Sequence, residues 1–153
     1  MTTVGHISEK IEKYNPEAVF IDDGGLGGGA VDRLKQLGYN VFGINFGSKA
    51  SDERKYGNKR SEMWGNMKDW VEIGDLPDSD DIRGDLTAPE YKFDTKNRII
   101  LESKEDMKKR GLSSPDMADA LALTYALPVH HSARAGYDGA NYHQAKHEYD
   151  PFG

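Results

Sequence analysis

Ala18-Val19-Phe20-Ile21-Asp22-Asp23-Gly24-Gly25-Leu26-Gly27-Gly28-Gly29 is the stretch on which the reading of this chain turns. Its first four residues form a short, continuous apolar run, the pattern of a strand buried on both faces in a parallel sheet. Asp22 and Asp23 close the run, and a carboxylate at the carboxyl end of such a strand stands where α/β proteins place their sites. Five glycines in six residues follow. Such a loop permits backbone conformations closed to other residues and lets another group come close. Residues 30–37 read as a helix stopped by Gly38, and 39–44 as the next strand. Strand, glycine loop, helix and strand together imply a right-handed parallel crossover. The glycines do not follow the G-x-G-x-x-G spacing, no acid ends the second strand, and no Gly-Lys-Ser/Thr follows the loop. A nucleotide-binding α/β domain is therefore the less favoured reading of these glycines.

Working outward, residues 4–14 place Val4, Ile7 and Ile11 at the spacing of an amphipathic helix, which Asn15-Pro16 stops. After a polar loop, Met63, Trp64, Met67, Trp70 and Val71 fall at helical spacing and read as a core-facing stripe, with Lys59 and Arg60 at the start of the helix, positioned to meet either phosphate or solvent. Residues 80–86 read as a short helix. The acids Asp78, Asp80, Asp81 and Asp85 around it fail the calcium-loop pattern and read as solvated. Residues 91–93 and 98–101 flank Asp94-Thr95-Lys96-Asn97 as a β-hairpin. Residues 103–110 form another short helix, opened by Ser103 and Asp106 in a variant of the capping box. They carry the densest positive charge of the chain.

The last periodic segment is Ser113-Ser114-Pro115-Asp116-Met117-Ala118-Asp119-Ala120-Leu121-Ala122-Leu123. Ser114 suits an N-cap and Pro115 the first helical position. Asp116 and Asp119, three residues apart, project from one face of the first turns. The apolar residues behind them, as far as Leu127, predict a mostly buried helix. The macrodipole alone favours acids at such a place. Asp22 adds a second reason. Residues 130–153 lack hydrophobic periodicity and read as a flexible tail, which makes 1–129 the folded domain. The histidines there (His130, His131, His143 and His147) are scattered.

At 153 residues, with 30% charged residues and a net charge of −6, the chain is one domain large enough for a core and is not a basic nucleic-acid coat protein. The absence of cysteine excludes disulfides and thiolate metal sites. No stretch has the pattern of a signal peptide or a membrane span, which points to a cytosolic protein without a membrane partner.

Three carboxylates share one physical logic: Asp22 at a strand end, and Asp116 and Asp119 at a helix start. Carboxylate oxygens without thiolate or clear histidine partners suit Mg²⁺ or Mn²⁺. Two such ions roughly 4 Å apart can activate water and stabilise the leaving oxygen in phosphodiester cleavage. Strand-end and late-helix acids converging on metal resemble the arrangement of ribonuclease H-like nucleases, so the predicted fold is α/β and ribonuclease H-like, a mixed sheet flanked by helices. Asp22, Asp116 and Asp119 are its candidate catalytic and metal-binding residues. Asp23, one residue on, would point to the other side of the strand. Lys104, Lys108 and Arg110 are candidate phosphate contacts.

Between residues 4 and 129, several motifs in order carry a family resemblance: Asp22-Asp23-Gly24-Gly25-Leu26-Gly27, Val31-Asp32-Arg33-Leu34, Phe46-Gly47, Asn58-Lys59-Arg60-Ser61-Glu62-Met63-Trp64, the 102–111 segment and Ser114-Pro115-Asp116-Met117-Ala118-Asp119-Ala120-Leu121. Together they resemble the C-terminal nuclease domain of tailed-phage terminase large subunits. The resemblance implies a metal-dependent endonuclease that cuts concatemeric double-stranded viral DNA in the cytoplasm of the infected bacterial host. Its products would carry a 3′-hydroxyl and a 5′-phosphate, and its partners would be the terminase ATPase domain, the small subunit and the portal. Asp22 matches the family's second acid, and its late-helix acid falls on Asp116 or Asp119. The strand bearing the first acid and the ATPase domain have no counterpart here, so the ribonuclease H-like fold is expected to be incomplete. In that case the 19–21 strand presents an unpaired edge and associates with itself or with the remaining terminase segment. A catalytically incomplete module that binds DNA, portal or the rest of the motor is the alternative.

Overall fold

The computed structural model describes residues 2–130, so the expected tail from residue 131 onward lies outside the described residues. Ten elements follow one another: α1 (Thr3–Tyr14), β1 (Val19–Asp22), α2 (Gly27–Gln36), β2 (Val41–Ile44), α3 (Lys59–Val71), α4 (Asp80–Thr87), β3 (Tyr91–Phe93), β4 (Ile99–Leu101), α5 (Lys104–Lys109) and α6 (Asp116–Leu123). No helix among the described residues is long and apolar enough to cross a membrane.

β1 and β2 pair in parallel, Val19 opposite Val41 and Asp22 opposite Ile44, with α2 as the crossover between them. Alternation along β1 divides its side chains between two layers. Val19 and Ile21 pack with Val31, Leu34 and Val41 and with the Val4, Ile7 and Ile11 stripe of α1. Phe20 packs on the opposite side, against the larger cluster of Ile44, Met63, Trp64, Met67, Ala118, Ala122 and Ala126. Met63 and Met67 are fully enclosed. Burial of side chains of this size stabilises by about 1.5–3 kcal/mol each. Asp22 follows Phe20 by two positions and so belongs to the side of α3 and α6. Among the described residues no strand covers the outer edge of β1.

The hairpin of β3 and β4 forms a separate antiparallel sheet, so parallel and antiparallel pairing are both present but not in one sheet. Asn97 adopts φ 59° in its turn, a left-handed conformation that asparagine tolerates. β4 is tied to the body of the protein on its other side, where Gly57 N–H donates to the Ile99 carbonyl at 2.9 Å and Ile99 N–H to that of Lys55 at 2.8 Å.

Three expectations change. Helix α2 starts at Gly27, inside the glycine run, and not at residue 30. A Cβ at Gly27 would overlap the backbone oxygen of Asp22, so this glycine is what lets the helix begin directly against the strand end. Helix α6 spans Asp116–Leu123 and stops short of Leu127, and no side chain of Ser114 or Pro115 caps it. Instead the Met117 N–H donates to Asp85 Oδ2 at 2.9 Å, which removes Asp85 from the purely solvated acids. Lys59 and Arg60 are buried, each against a carboxylate, Glu62 and Asp119 respectively, and do not extend into solvent.

Candidate functional site

The parallel pair ends in two adjacent loops, the position at which open α/β sheets form their clefts. Asp22, half-buried, accepts the Gly24 N–H on Oδ1 at 3.0 Å. Gly25 then turns the chain with φ 60°, a conformation in which a side chain costs about 1–2 kcal/mol. At the end of β2, Asn45 folds back so that its Oδ1 accepts the Gly47 N–H at 2.8 Å. These loops open onto a cleft of about 690 Å³ whose walls include Asp22, Asn45, Phe46, Arg60, Lys92 and Lys104. Asp23 lies elsewhere, beside Gly43 of β2, as the alternation of the strand requires.

Behind the cleft wall sits a network of buried charge. Asp119, 4% exposed, accepts the Arg60 Nε–H at 3.0 Å and the Trp64 Nε1–H at 2.8 Å, both on Oδ1. Its Oδ2 lies 3.1 Å from Lys104 Nζ, close enough for an ion pair although not aligned as a hydrogen bond. Arg60 spends Nη1 on the Glu102 carbonyl at 2.7 Å, while its buried Nη2 finds no hydrogen-bond partner. Its guanidinium carbon stands 5.7 Å from the centre of the Trp64 ring. The network joins α3, α6 and the turn from β4 into α5.

A second buried pair steadies the loop before α3. Lys59 Nζ meets Glu62 Oε2 at 2.8 Å, and the Glu62 carboxylate also accepts the Ser51 and Asp52 N–H groups at 3.0 and 2.8 Å. Burial pushes the Glu62 carboxyl upward, but Lys59 and the two backbone donors outweigh it and hold it below the usual carboxylate range. Glu102 is also held low, by Arg110 first and by the Glu90 backbone second.

The residues expected to form the site are thus spread over distinct environments. Asp22 and Lys104 line the cleft. Asp116 is exposed at the start of α6 and is not among the lining residues. Asp119 is enclosed. Lys108 is exposed. Arg110 is engaged by Glu102 Oε1 at 2.8 Å and Oε2 at 2.6 Å and by the Ala88 carbonyl at 2.9 Å. Oxygen donors such as Asp22 suit a hard divalent ion in kind. In number they fall short: among the described residues no three histidines or acids gather to hold a metal. Arg60, Trp64, Asn45 and Glu102 are further participants. Arg60 carried a readable signal, because positions 60, 63, 64 and 67 share one face of α3.

No protein-family model and no curated protein matches the sequence. Solved structures do match the fold. The nuclease domain of the large terminase subunit gp2 of bacterial virus Sf6 superposes with a TM-score of 0.69 at 17% identity, over 82% of this chain and 71% of that one. A point variant of that domain with manganese gives 0.69 at 17% identity, over 82% and 72%. A point variant with calcium gives 0.70 at 17% identity, over 82% and 71%. The chain therefore has the ribonuclease H-like fold of terminase nuclease domains.

Proposed function

We propose that this chain is a nuclease domain of a phage DNA-packaging terminase, cutting double-stranded DNA by divalent-metal-assisted hydrolysis of the phosphodiester bond. The observation that carries the reading is the placement of Asp22: a carboxylate at the carboxyl end of a parallel strand, on a cleft, in a fold shared with terminase nuclease domains. The presence of manganese or calcium with those relatives supports Mg²⁺ or Mn²⁺ as the cofactor, and two ions would suit the reaction. Such ions supply activation of water and stabilisation of the leaving oxygen. Asp22 is the first carboxylate we assign to them, and the family's late-helix acid falls on Asp116 or Asp119 of α6. The chain's own cations, Lys92 and Lys104, face the cleft, where a phosphate would meet them. The bare backbone of Gly24 and Gly25 gives DNA close access to the strand end. By the same family reading the partners are the motor ATPase, the small subunit and the portal, in the cytoplasm of the bacterial host.

A second reading is favoured by a specific observation, the absence among the described residues of a three-acid cluster. On that reading the domain binds DNA or the remaining motor without cutting, and is completed by a segment that pairs with the open edge of β1. Incubating supercoiled plasmid with the protein across a range of Mn²⁺ concentrations, beside Asp22→Asn, separates the two. Nicking or linearisation that disappears in the variant supports the nuclease. An intact plasmid at every metal concentration supports the binding module.

A further inference from the structure

Trp64 reads from the sequence as one member of a core-facing stripe, and the structure buries it in the cluster of Ile44, Met63 and Ala118. Packing there needs only a ring. What tryptophan adds to a ring is an N–H, and a buried N–H requires an acceptor. This one donates to Asp119 Oδ1 at 2.8 Å, and the Arg60 Nε–H donates to the same oxygen at 3.0 Å. A carboxylate oxygen has two lone-pair directions, so Oδ1 is filled. Oδ2 is buried and has no hydrogen-bond partner, which suits it in kind to a hard cation. The Lys104 ammonium stands 3.1 Å from it, out of alignment for a hydrogen bond, on a side chain that is one-third exposed and lines the cleft. Oδ2 thus lies one side chain away from the cleft that Asp22 lines.

We infer that Trp64 and Arg60 are positioning residues: by occupying Oδ1 together, they orient the Asp119 carboxylate so that Oδ2 is the oxygen left for a divalent cation. The metal role of Asp119 rests on the nuclease reading above, whereas the hold on Oδ1 does not. Both donors come from one face of α3, where residues four apart are neighbours. The Arg60 guanidinium carbon stands 5.7 Å from the centre of the Trp64 ring, and its Nη1 is fixed by the Glu102 carbonyl at 2.7 Å. The carboxylate cannot rotate without breaking two hydrogen bonds where water is unable to replace them. Groups that stand one bond behind a metal ligand set its orientation, and their loss lowers metal affinity by about 10–100-fold. Met63 and Met67 fill the same core without an N–H to offer. Trp64 therefore differs from the rest of its stripe in what it does, although not in how deeply it is packed.

The chain has two tryptophans, and they form a built-in comparison. Trp64 donates to Asp119, while Trp70, further along α3, sets its ring against Tyr125 with 6.2 Å between centres. In a Mg²⁺ titration of the wild-type chain followed by nitrogen–proton NMR, the Trp64 indole resonance is expected to move to saturation together with the Gly24 amide, which donates to Asp22. The Trp70 indole resonance is expected to stay in place. Movement of Gly24 with a stationary Trp64 would overturn the inference and leave the nuclease reading standing on Asp22. Movement of neither would remove the metal from the nuclease reading, and the inference with it. The affinity for Mn²⁺, read from the electron paramagnetic resonance of the free ion, then tests the positioning itself. Trp64→Phe is expected to bind about 10–100-fold more weakly than wild type. Met67→Leu, which disturbs the same core with no N–H at stake, is expected to bind like wild type. An unchanged affinity in Trp64→Phe, or equal losses in the two variants, would make Trp64 a packing residue only. If Trp64→Phe does not fold, Arg60→Lys takes its place: it keeps the charge and loses Nε, with the same expected loss and the same two ways to fail.

Discussion

The end of β1 and the heart of the α3–α6 contact each present an aspartate, and the surroundings set the two apart. Around Asp22 the chain is glycine: the carboxylate is half-buried, holds one N–H, and looks onto a cleft. Around Asp119 the chain supplies an arginine, a tryptophan and a lysine, and encloses the carboxylate almost completely. The difference teaches that an acid's spacing in the sequence does not fix its task. The donors that reach it from distant elements do. The half-buried Asp22 keeps lone pairs open to the cleft, whereas Asp119 holds Arg60 and Trp64 on one oxygen and leaves the other enclosed without a hydrogen bond.

Removing each carboxylate should break this comparison in opposite ways. Asp119→Ala leaves Arg60 buried without its counter-charge, which costs about 3–5 kcal/mol and should appear as a large drop in the urea midpoint. Asp22→Ala should cost only about 1 kcal/mol, the worth of one hydrogen bond, while removing plasmid cleavage. Equal stability losses would erase the distinction. Gly27→Ala falls between these two in its effect on stability. The added methyl group meets the Asp22 carbonyl, so the start of α2 must shift, at about 1–3 kcal/mol, and the Asp22 carboxylate moves with it. Cleavage should therefore fall more than thermal stability, and an unchanged melting temperature with full cleavage would show that the close approach is dispensable.

The smallest effect concerns pH. Glu62 is held below its ordinary value by Lys59 and by two N–H groups, against the upward push of burial. A carboxyl whose folded-state value is depressed contributes stability above its unfolded value, and that contribution is lost as pH falls through the folded value. Stability should accordingly be flat near neutrality and decline on acidification below the ordinary glutamate range. Glu62→Gln should flatten the part of that decline which Glu62 contributes. A Glu62→Gln protein with an acid limb identical to wild type would remove Glu62 from the account.

Much of the frame was legible in the sequence, because its determinants are local. The apolar run 18–21, the glycines after it and the Val4, Ile7 and Ile11 stripe each specify their element within a few residues, and the hairpin around 94–97 does likewise. Asp22 could be placed on the cleft from strand topology alone. Which charges pair behind the cleft was not legible, for a physical reason. Lys59 and Arg60 read as charges at a helix start until Glu62 and Asp119 are seen to neutralise them inside, and Asp119 lies 59 positions from Arg60. Asp116 and Asp119 share helical spacing, yet packing on α3 encloses the second and leaves the first in solvent. Cap chemistry misled in the same way, since the donor at the start of α6 is met by Asp85 from another helix.

The separations in the Asp119 network also bear on the order in which the molecule assembles. Bonds from residue 119 to residues 60 and 64 span 59 and 55 positions, so each closes a long loop and must wait until that entropy has been met. The crossover of β1, α2 and β2 closes within far shorter loops and can gather first. If the charge network forms after the rate-limiting step, a substitution at Asp119 will leave the folding limb of the chevron almost untouched and steepen the loss of the native state by faster unfolding. The network would then act as a latch on a domain already folded, lengthening the lifetime of the closed structure rather than speeding its formation.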